Sequence, residues 1–256
     1  MKNIVGQTPR GADFYPRDSV INRIYRRLDS KNHLYLSAPR RSGKTSIMRA
    51  LEDNPQEGYI FVYLNVEDCI DSEEYFRLLS LELENSAAQG RLARLGDKAK
   101  SVLQTFLERI KRIKVASLEI ETVVNEATPS YAEAFEQLLR DLEAENTTIV
   151  IMIDEFPVAV ESIAKAKGAE AAVQFLHVNR AIRQRSRTDA RFIYTGSIGL
   201  PNVARKLDPT PTINDLNIVE IPPLTTGEGL DMSKKILAGY DVVVEEAVLQ
   251  YLLDKI

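Results

Sequence analysis

Short apolar runs alternate along the chain with stretches of helical spacing. Leu34–Leu36, Tyr59–Asn65, Thr148–Ile153, Arg191–Ser197 and Asn217–Ile221 are mostly apolar, as strands covered by helices are. The run Tyr59–Asn65 is nearly continuous, which predicts an inner strand. Between the runs the period changes to 3.6. Val20, Ile21, Ile24, Tyr25 and Leu28 share one helical face, with the cap near Asp18 or Ser19 and Arg23, Arg26 and Arg27 pointing outward. Ser72 is placed to cap a helix through Tyr75, Leu78, Leu79 and Leu83. Val102, Leu103, Phe106, Leu107, Ile110 and Ile113 form another stripe.

Further on, Val115 to Val124 has the alternation of a strand or hairpin. Pro129 and Ser130 open a helix from Tyr131 to Glu143, and Gly168 to Arg187 reads as a helix burying Ala172, Phe175, Leu176 and Ile182. Arg180, Arg183, Arg185 and Arg187 crowd its last turns, where cations stabilise a helix end. A short helix spans Leu200 to Leu207 and stops at Pro209. After Pro222-Pro223, Thr225 or Thr226 caps a helix through Ile236, and Val244 to Ile256 reads as another. Five strands separated by helices describe a doubly wound α/β core with a parallel sheet. The expected division is a core over 1–222, with a basic helical insertion at about 87–124, and a helical second region over 223–256. That region ends in helical register without a cap signal and reads as cut short.

The first strand leads into chemistry. Ser37 to Gly43 is a loop of mostly small residues, and helical spacing resumes at Thr45. Strand, tight loop, Gly-Lys-Thr and helix form a phosphate loop, with Ala38 where the pattern has its first glycine. The amides of Arg41, Ser42, Gly43 and Lys44 would converge on a β-phosphate, helped by the positive helix end. Lys44 would reach the β- and γ-oxygens, and the Thr45 hydroxyl would take a place on Mg²⁺. Ala38, Pro39, Arg40, Arg41, Ser42, Gly43, Lys44, Thr45 and Ser46 form the candidate nucleotide-binding run.

The run Thr148–Ile153 delivers Asp154-Glu155 at its carboxyl end, where ligands sit in an open parallel sheet. Two adjacent carboxylates repel unless a cation joins them, and a Mg²⁺ carried by ATP supplies one. Asp154 would then hold the metal, and Glu155 would polarise the attacking water; the alternative is an acidic pair at the N-terminus of a helix that follows the strand. Thr195 or Ser197, around Gly196, offers a hydroxyl to the γ-phosphate or to that water. Simple turn chemistry explains these residues as well.

Charge adds one regional contrast. The 256 residues carry a net charge of −4, which predicts no overall attraction to nucleic acid. Between Arg91 and Lys114, eight basic residues face only Asp97 and Glu108. This segment reads either as a solvated helix face or as a surface for DNA or a protein partner. The single Cys69 excludes an internal disulfide, and two histidines leave little for a metal site. No apolar run approaches the ~20 residues of a membrane span, so the chain is expected to be cytoplasmic and to have no membrane partner.

Phe14-Tyr15-Pro16-Arg17, Ala-Pro-Arg-Arg-Ser-Gly-Lys-Thr-Ser, Ile-Asp-Glu-Phe and Tyr-Thr-Gly-Ser together resemble the archaeal-type ATPase family, of the AAA+/STAND branch of P-loop NTPases. The resemblance covers about residues 9 to 240. It implies a three-layer core with Walker A and Walker B elements, a helical lid, and ATP with Mg²⁺ as cofactors. It places Phe14, Tyr15 and Arg17 near the adenine and Ser197 at the sensor position. Many STAND relatives carry an arginine where this chain has Thr195-Gly196-Ser197. The activity implied is a slow ATPase acting as a nucleotide-controlled switch on assembly or partner binding, with self-association. A DNA-associated loader or initiator and a nucleotide-binding scaffold without hydrolysis are the alternatives.

Overall fold

Five parallel strands form one sheet in the order β2-β3-β4-β1-β5. The structure, a computed structural model, describes residues 1–4, 6–119, 130–142, 147–185, 190–207 and 212–255. In chain order its elements are α1 (Asp18–Asp29), β1 (His33–Ser37), α2 (Lys44–Asp53), β2 (Tyr59–Asn65), α3 (Ser72–Ala88) and α4 (Asp97–Glu119). They continue with α5 (Tyr131–Asp141), β3 (Thr148–Asp154), α6 (Phe156–Lys167), α7 (Ala169–Arg185), β4 (Ala190–Tyr194), α8 (Leu200–Leu207), β5 (Leu216–Glu220), α9 (Thr226–Ala238) and α10 (Glu246–Leu253).

The two-residue period of the strands sorts the core into two layers. Phe61 and Tyr63 of β2, Val150 and Met152 of β3, and Leu34 and Leu36 of β1 share an apolar cluster with α1 and α2. Ile60, Val62 and Leu64, Ile149, Ile151 and Ile153, and Tyr35 point the other way, into a larger cluster with α3 to α8. The result is a three-layer α/β core, as the alternation of strands and helices predicts.

Several local expectations are corrected. The apolar run of β2 predicts an inner strand, but β2 lies at the sheet edge. Both its faces are nevertheless buried, with Phe61 and Val62 in opposite clusters. A continuous apolar run therefore reports covered faces and not strand neighbours. Neither Asp18 nor Ser19 caps α1, whose N-cap is Arg17 without a side-chain bond. Asp71, not Ser72, caps α3 by accepting from the Glu74 amide at 2.7 Å. The stretch predicted as extended from Val115 is helical through Glu119, because α4 continues; residues 120–124 lie outside the described residues. So do Pro129, Glu143, Arg187, Pro209 and Ile256. Ser130 and Thr225 cap α5 and α9 with full capping boxes.

Arg183 does not serve its helix end. It is 3% exposed and donates to Asp215 Oδ2 at 2.6 Å and Oδ1 at 2.8 Å, and to the Thr212 carbonyl. Helices α9 and α10 pack mainly on each other; α9 buries no residue and α10 buries only Leu249. Among the described residues no helix is long and apolar enough to cross a membrane.

Candidate active site at the carboxyl edge of the sheet

All strands are parallel, so their carboxyl ends share one edge. The loop after β1, Asp154 at the end of β3 and the Thr195–Ser197 turn after β4 lie side by side there, because β4 separates β1 from β3. The loop and the acidic strand end are in direct contact. Thr45 Oγ1 donates to Asp154 Oδ2 at 2.7 Å.

The loop turns through two residues in the left-handed region, Arg41 (φ 63°) and Gly43 (φ 85°). Gly43 also forms the N-cap of α2, a position where glycine has no steric cost and where the helix dipole attracts anions. The alanine at the first-glycine position is tolerated because Ala38 does not need positive φ; Arg41 takes that conformation instead. Lys44 is 7% exposed, and its ammonium donates to the carbonyls of Ala38 (2.9 Å) and Pro39 (2.7 Å). Burial pushes its pKa down, while Glu155 and Asp154 act to keep it charged. Ser42 Oγ braces the loop by donating to Pro39 O. Ser46 is half-buried in the first turn of α2, and Arg40 is exposed on the loop.

Asp154 is 2% exposed. Its Oδ2 accepts from Thr45 and from the Tyr63 hydroxyl (2.9 Å), and its Oδ1 accepts from the Glu155 amide (3.1 Å). Burial first, then the Asp154 charge, raises the Tyr63 pKa, so the phenol remains a donor. Glu155 sits at φ 58° as the N-cap of α6, a strained setting for a side-chain-bearing residue. Its Oε2 accepts from both the amide and the hydroxyl of Ser197, each at 2.8 Å. Gly196 makes that turn possible. A Cβ there would lie 2.5 Å from Pro157 Cδ. Thr195 is fully buried and donates to the Leu36 carbonyl, so its hydroxyl serves the sheet and Ser197 carries the polar function of this turn.

Phe14, Tyr15 and Arg17 precede α1. Phe14 is half-buried against the same cluster as Ala38. Tyr15 donates to Asp231 of α9 at 2.9 Å, and Arg17 donates to the Pro222 carbonyl at 2.6 Å. The Arg17 Nε is buried with no protein acceptor among the described residues. Tyr15 and Arg17 thus tie the segment before α1 to α9 and to the residue leading toward it.

Residue spacing did not point to Tyr63, Arg49, Glu52 or Arg10. Glu52 lies in the last turn of α2 with a side chain only 1% exposed, paired to Arg49 at 2.7 Å and to Arg10 and Arg91. Arg91 and Lys114, two of the eight basic residues, are paired with Glu52 and Glu84. Arg94, Lys100, Lys111 and Arg112 are exposed.

The donor set suits a hard cation carried by a phosphate. Among the described residues no three His, Cys, Asp or Glu side chains converge on a metal position. The oxygens of Thr45 and Asp154 meet at one point, which matches Mg²⁺ completed by phosphate and water.

No protein-family model and no curated protein sequence matches the chain. Solved structures do. A Walker-type ATPase of Pyrococcus abyssi superposes with a TM-score of 0.66 at 19% identity, covering 98% of this chain and 66% of its own. The Aeropyrum pernix ORC2 protein, solved as ADPNP–ADP complexes, gives 0.50 at 14% identity and covers 93% and 55% respectively. This chain therefore spans about two thirds or less of those proteins. At such identities the likeness is one of fold, and the protein has the α/β fold of the Walker-type P-loop ATPases.

Proposed function

We propose that the protein binds ATP with Mg²⁺ on the loop after β1, hydrolyses it, and works as a nucleotide-dependent switch. The observation that carries this reading is the 2.7 Å bond from Thr45 to Asp154, which joins the phosphate loop to the acidic strand end. The amides of residues 41–44 and the α2 dipole would take the β-phosphate, displacing the Lys44 ammonium from its two loop carbonyls toward the β- and γ-oxygens. Bound Mg²⁺ supplies neutralisation of charge developing on those oxygens. Thr45 and Asp154 would hold it.

Glu155 would orient and polarise the attacking water once its bonds to Ser197 are exchanged for that water. Ser197 would then turn its hydroxyl to the γ-phosphate. Phe14, Tyr15 and Arg17 would face the adenine, and the unpartnered Arg17 Nε is a donor left over for it. Tyr15 and Arg17 also bond to α9 and to Pro222 before it, so a nucleotide bound there would bias how α9 and α10 sit on the core. Residues 223–256 then act as the lid. Among the described residues no arginine is hydrogen-bonded to Lys44, Asp154 or Glu155. Hydrolysis is therefore slow until a second copy or a partner provides one, an effect of about 10³ to 10⁵ in other phosphoryl-transfer systems.

Hydrolysis and nucleotide binding measured on Lys44→Ala and Glu155→Gln test the proposal. Lys44→Ala should lose nucleotide affinity. Glu155→Gln should keep it and hydrolyse about 100-fold or more slowly. Parental rates in both variants would remove the assignment.

A further inference from the structure

Asp154 has two hydroxyl donors on one oxygen, and the second comes from outside the phosphate loop. Tyr63 Oη donates to Oδ2 at 2.9 Å beside the Thr45 bond. The strand register explains the meeting. Asn65 is the partner of Asp154 and Tyr63 the partner of Met152, so Tyr63 and Asp154 are diagonal neighbours on one face. That face is the one covered by α2, which brings Thr45 to the same oxygen.

The ring is fixed from its other side. The Arg49 guanidinium lies over it, 3.4 Å from the centroid. Arg49 is held in turn by Glu52 at 2.7 Å, and Glu52 is buried under Arg10 and Arg91 as well. Arg49 is on α2 one turn after Thr45, so the helix that carries the metal-side hydroxyl also clamps the ring that meets its acceptor. Packing alone would be satisfied by phenylalanine. The phenol oxygen is a buried polar atom whose single protein partner among the described hydrogen bonds of its side chain is Asp154, and a buried donor of this kind acts on its acceptor.

We propose that Tyr63 is a positioning residue for Asp154. Its O–H holds the carboxylate in the orientation that offers the remaining lone pairs to a cation, and the Arg49–Glu52 pair holds the ring. The inference rests on the reading of Asp154 as the carboxylate that serves Mg²⁺. Phosphate contacts come from the loop amides and Lys44, which Tyr63 does not touch. Loss of the hydroxyl should therefore weaken the metal and spare the nucleotide.

Binding of a fluorescent ATP analogue, titrated with Mg²⁺ and repeated in EDTA, separates the two. Tyr63→Phe should raise the Mg²⁺ midpoint about tenfold, the scale of outer partners at metal sites, and leave affinity in EDTA unchanged. Arg49→Met should raise the midpoint about threefold. The double variant should be no worse than Tyr63→Phe, since the path ends in one hydroxyl. A purely structural tyrosine would instead lower the thermal midpoint and weaken binding equally with and without Mg²⁺. That result, or a parental Mg²⁺ midpoint in Tyr63→Phe, overturns the inference. Additive effects in the double variant overturn the role given to Arg49. If the parent protein binds the analogue with no dependence on Mg²⁺, the ATP·Mg²⁺ reading itself falls.

Discussion

The sheet edge and the C-terminal helix pair are held by opposite means. At the edge, Asp154, Thr195 and Lys44 are buried, and every oxygen of Asp154 has a hydrogen-bond donor. In the helix pair and its connection only Leu249 is buried, while Tyr240, Val243, Tyr251 and Leu252 are exposed. Its ties to the rest of the chain include the bonds from Tyr15 to Asp231 and from Tyr240 to the Asn3 carbonyl. Regions with few buried contacts and solvent-exposed bonds open first. The contrast assigns rigidity to the carboxyl edge of the sheet, where the nucleotide is proposed to bind, and movement to the segment after Pro222.

The largest effect expected from breaking this contrast comes from Glu52. Its buried carboxylate neutralises Arg10, Arg49 and Arg91. Arg10 keeps Asp53, but Glu52→Ala leaves Arg49 and Arg91 facing each other without their shared carboxylate, at a cost of about 2 kcal/mol after allowing for their partial exposure. Urea unfolding should show that loss in the core transition. A change under about 1 kcal/mol would mean that the cluster is held by its surroundings and not by this carboxylate.

An effect confined to acidic pH comes next. His33 starts β1, with Nδ1 accepting from the Phe192 amide at 3.2 Å and Nε2 facing the Arg183 carbonyl. Burial, then the charges of Arg183 and Arg191, lowers its pKa from 6.5 to about 4. Between those values the unfolded chain binds the proton and the folded chain does not. Stability is therefore complete above the upper value and declines as pH falls through the window, by about 2 kcal/mol at pH 5. His33→Gln should flatten that slope in thermal unfolding from pH 7 to 4.5. An unchanged slope would assign it to carboxylates instead.

What the chain reveals before folding follows the same contrast. The loop 38–46, Asp154-Glu155 and Ser197 were legible because strand, loop and helix are local patterns, and a parallel sheet collects strand ends on one edge. Glu52 was not, since its partners at 10, 49 and 91 are brought together only by packing. Tyr63 shares the strand parity of Phe61, but its meeting with Asp154 required knowing that β2 pairs with β3. The helix Phe156–Lys167 is visible in the sequence only as the alternative reading of Asp154-Glu155, because it starts directly from a left-handed Glu155 with Pro157 in its first turn and no capping side chain. Arg183 looked like a helix-end cation; its acceptor, Asp215, comes from the segment before β5.

The smallest expected effect sharpens the contrast most. Tyr15→Phe removes the bond to Asp231, leaving that carboxylate with Lys235. Exposed bonds contribute little, so the thermal midpoint should move by no more than about 2 °C. Limited proteolysis should respond more clearly. Cleavage between 222 and 226 in the nucleotide-free protein should accelerate severalfold, because the segment after Pro222 then depends more heavily on the Arg17–Pro222 bond. Adding ATP with Mg²⁺ should slow cleavage in the parent and less so in the variant, since Tyr15 is one of the residues proposed to touch both adenine and α9. Equal protection in the two proteins would separate nucleotide binding from the helix pair, and the movement assigned to residues 223–256 would need another cause.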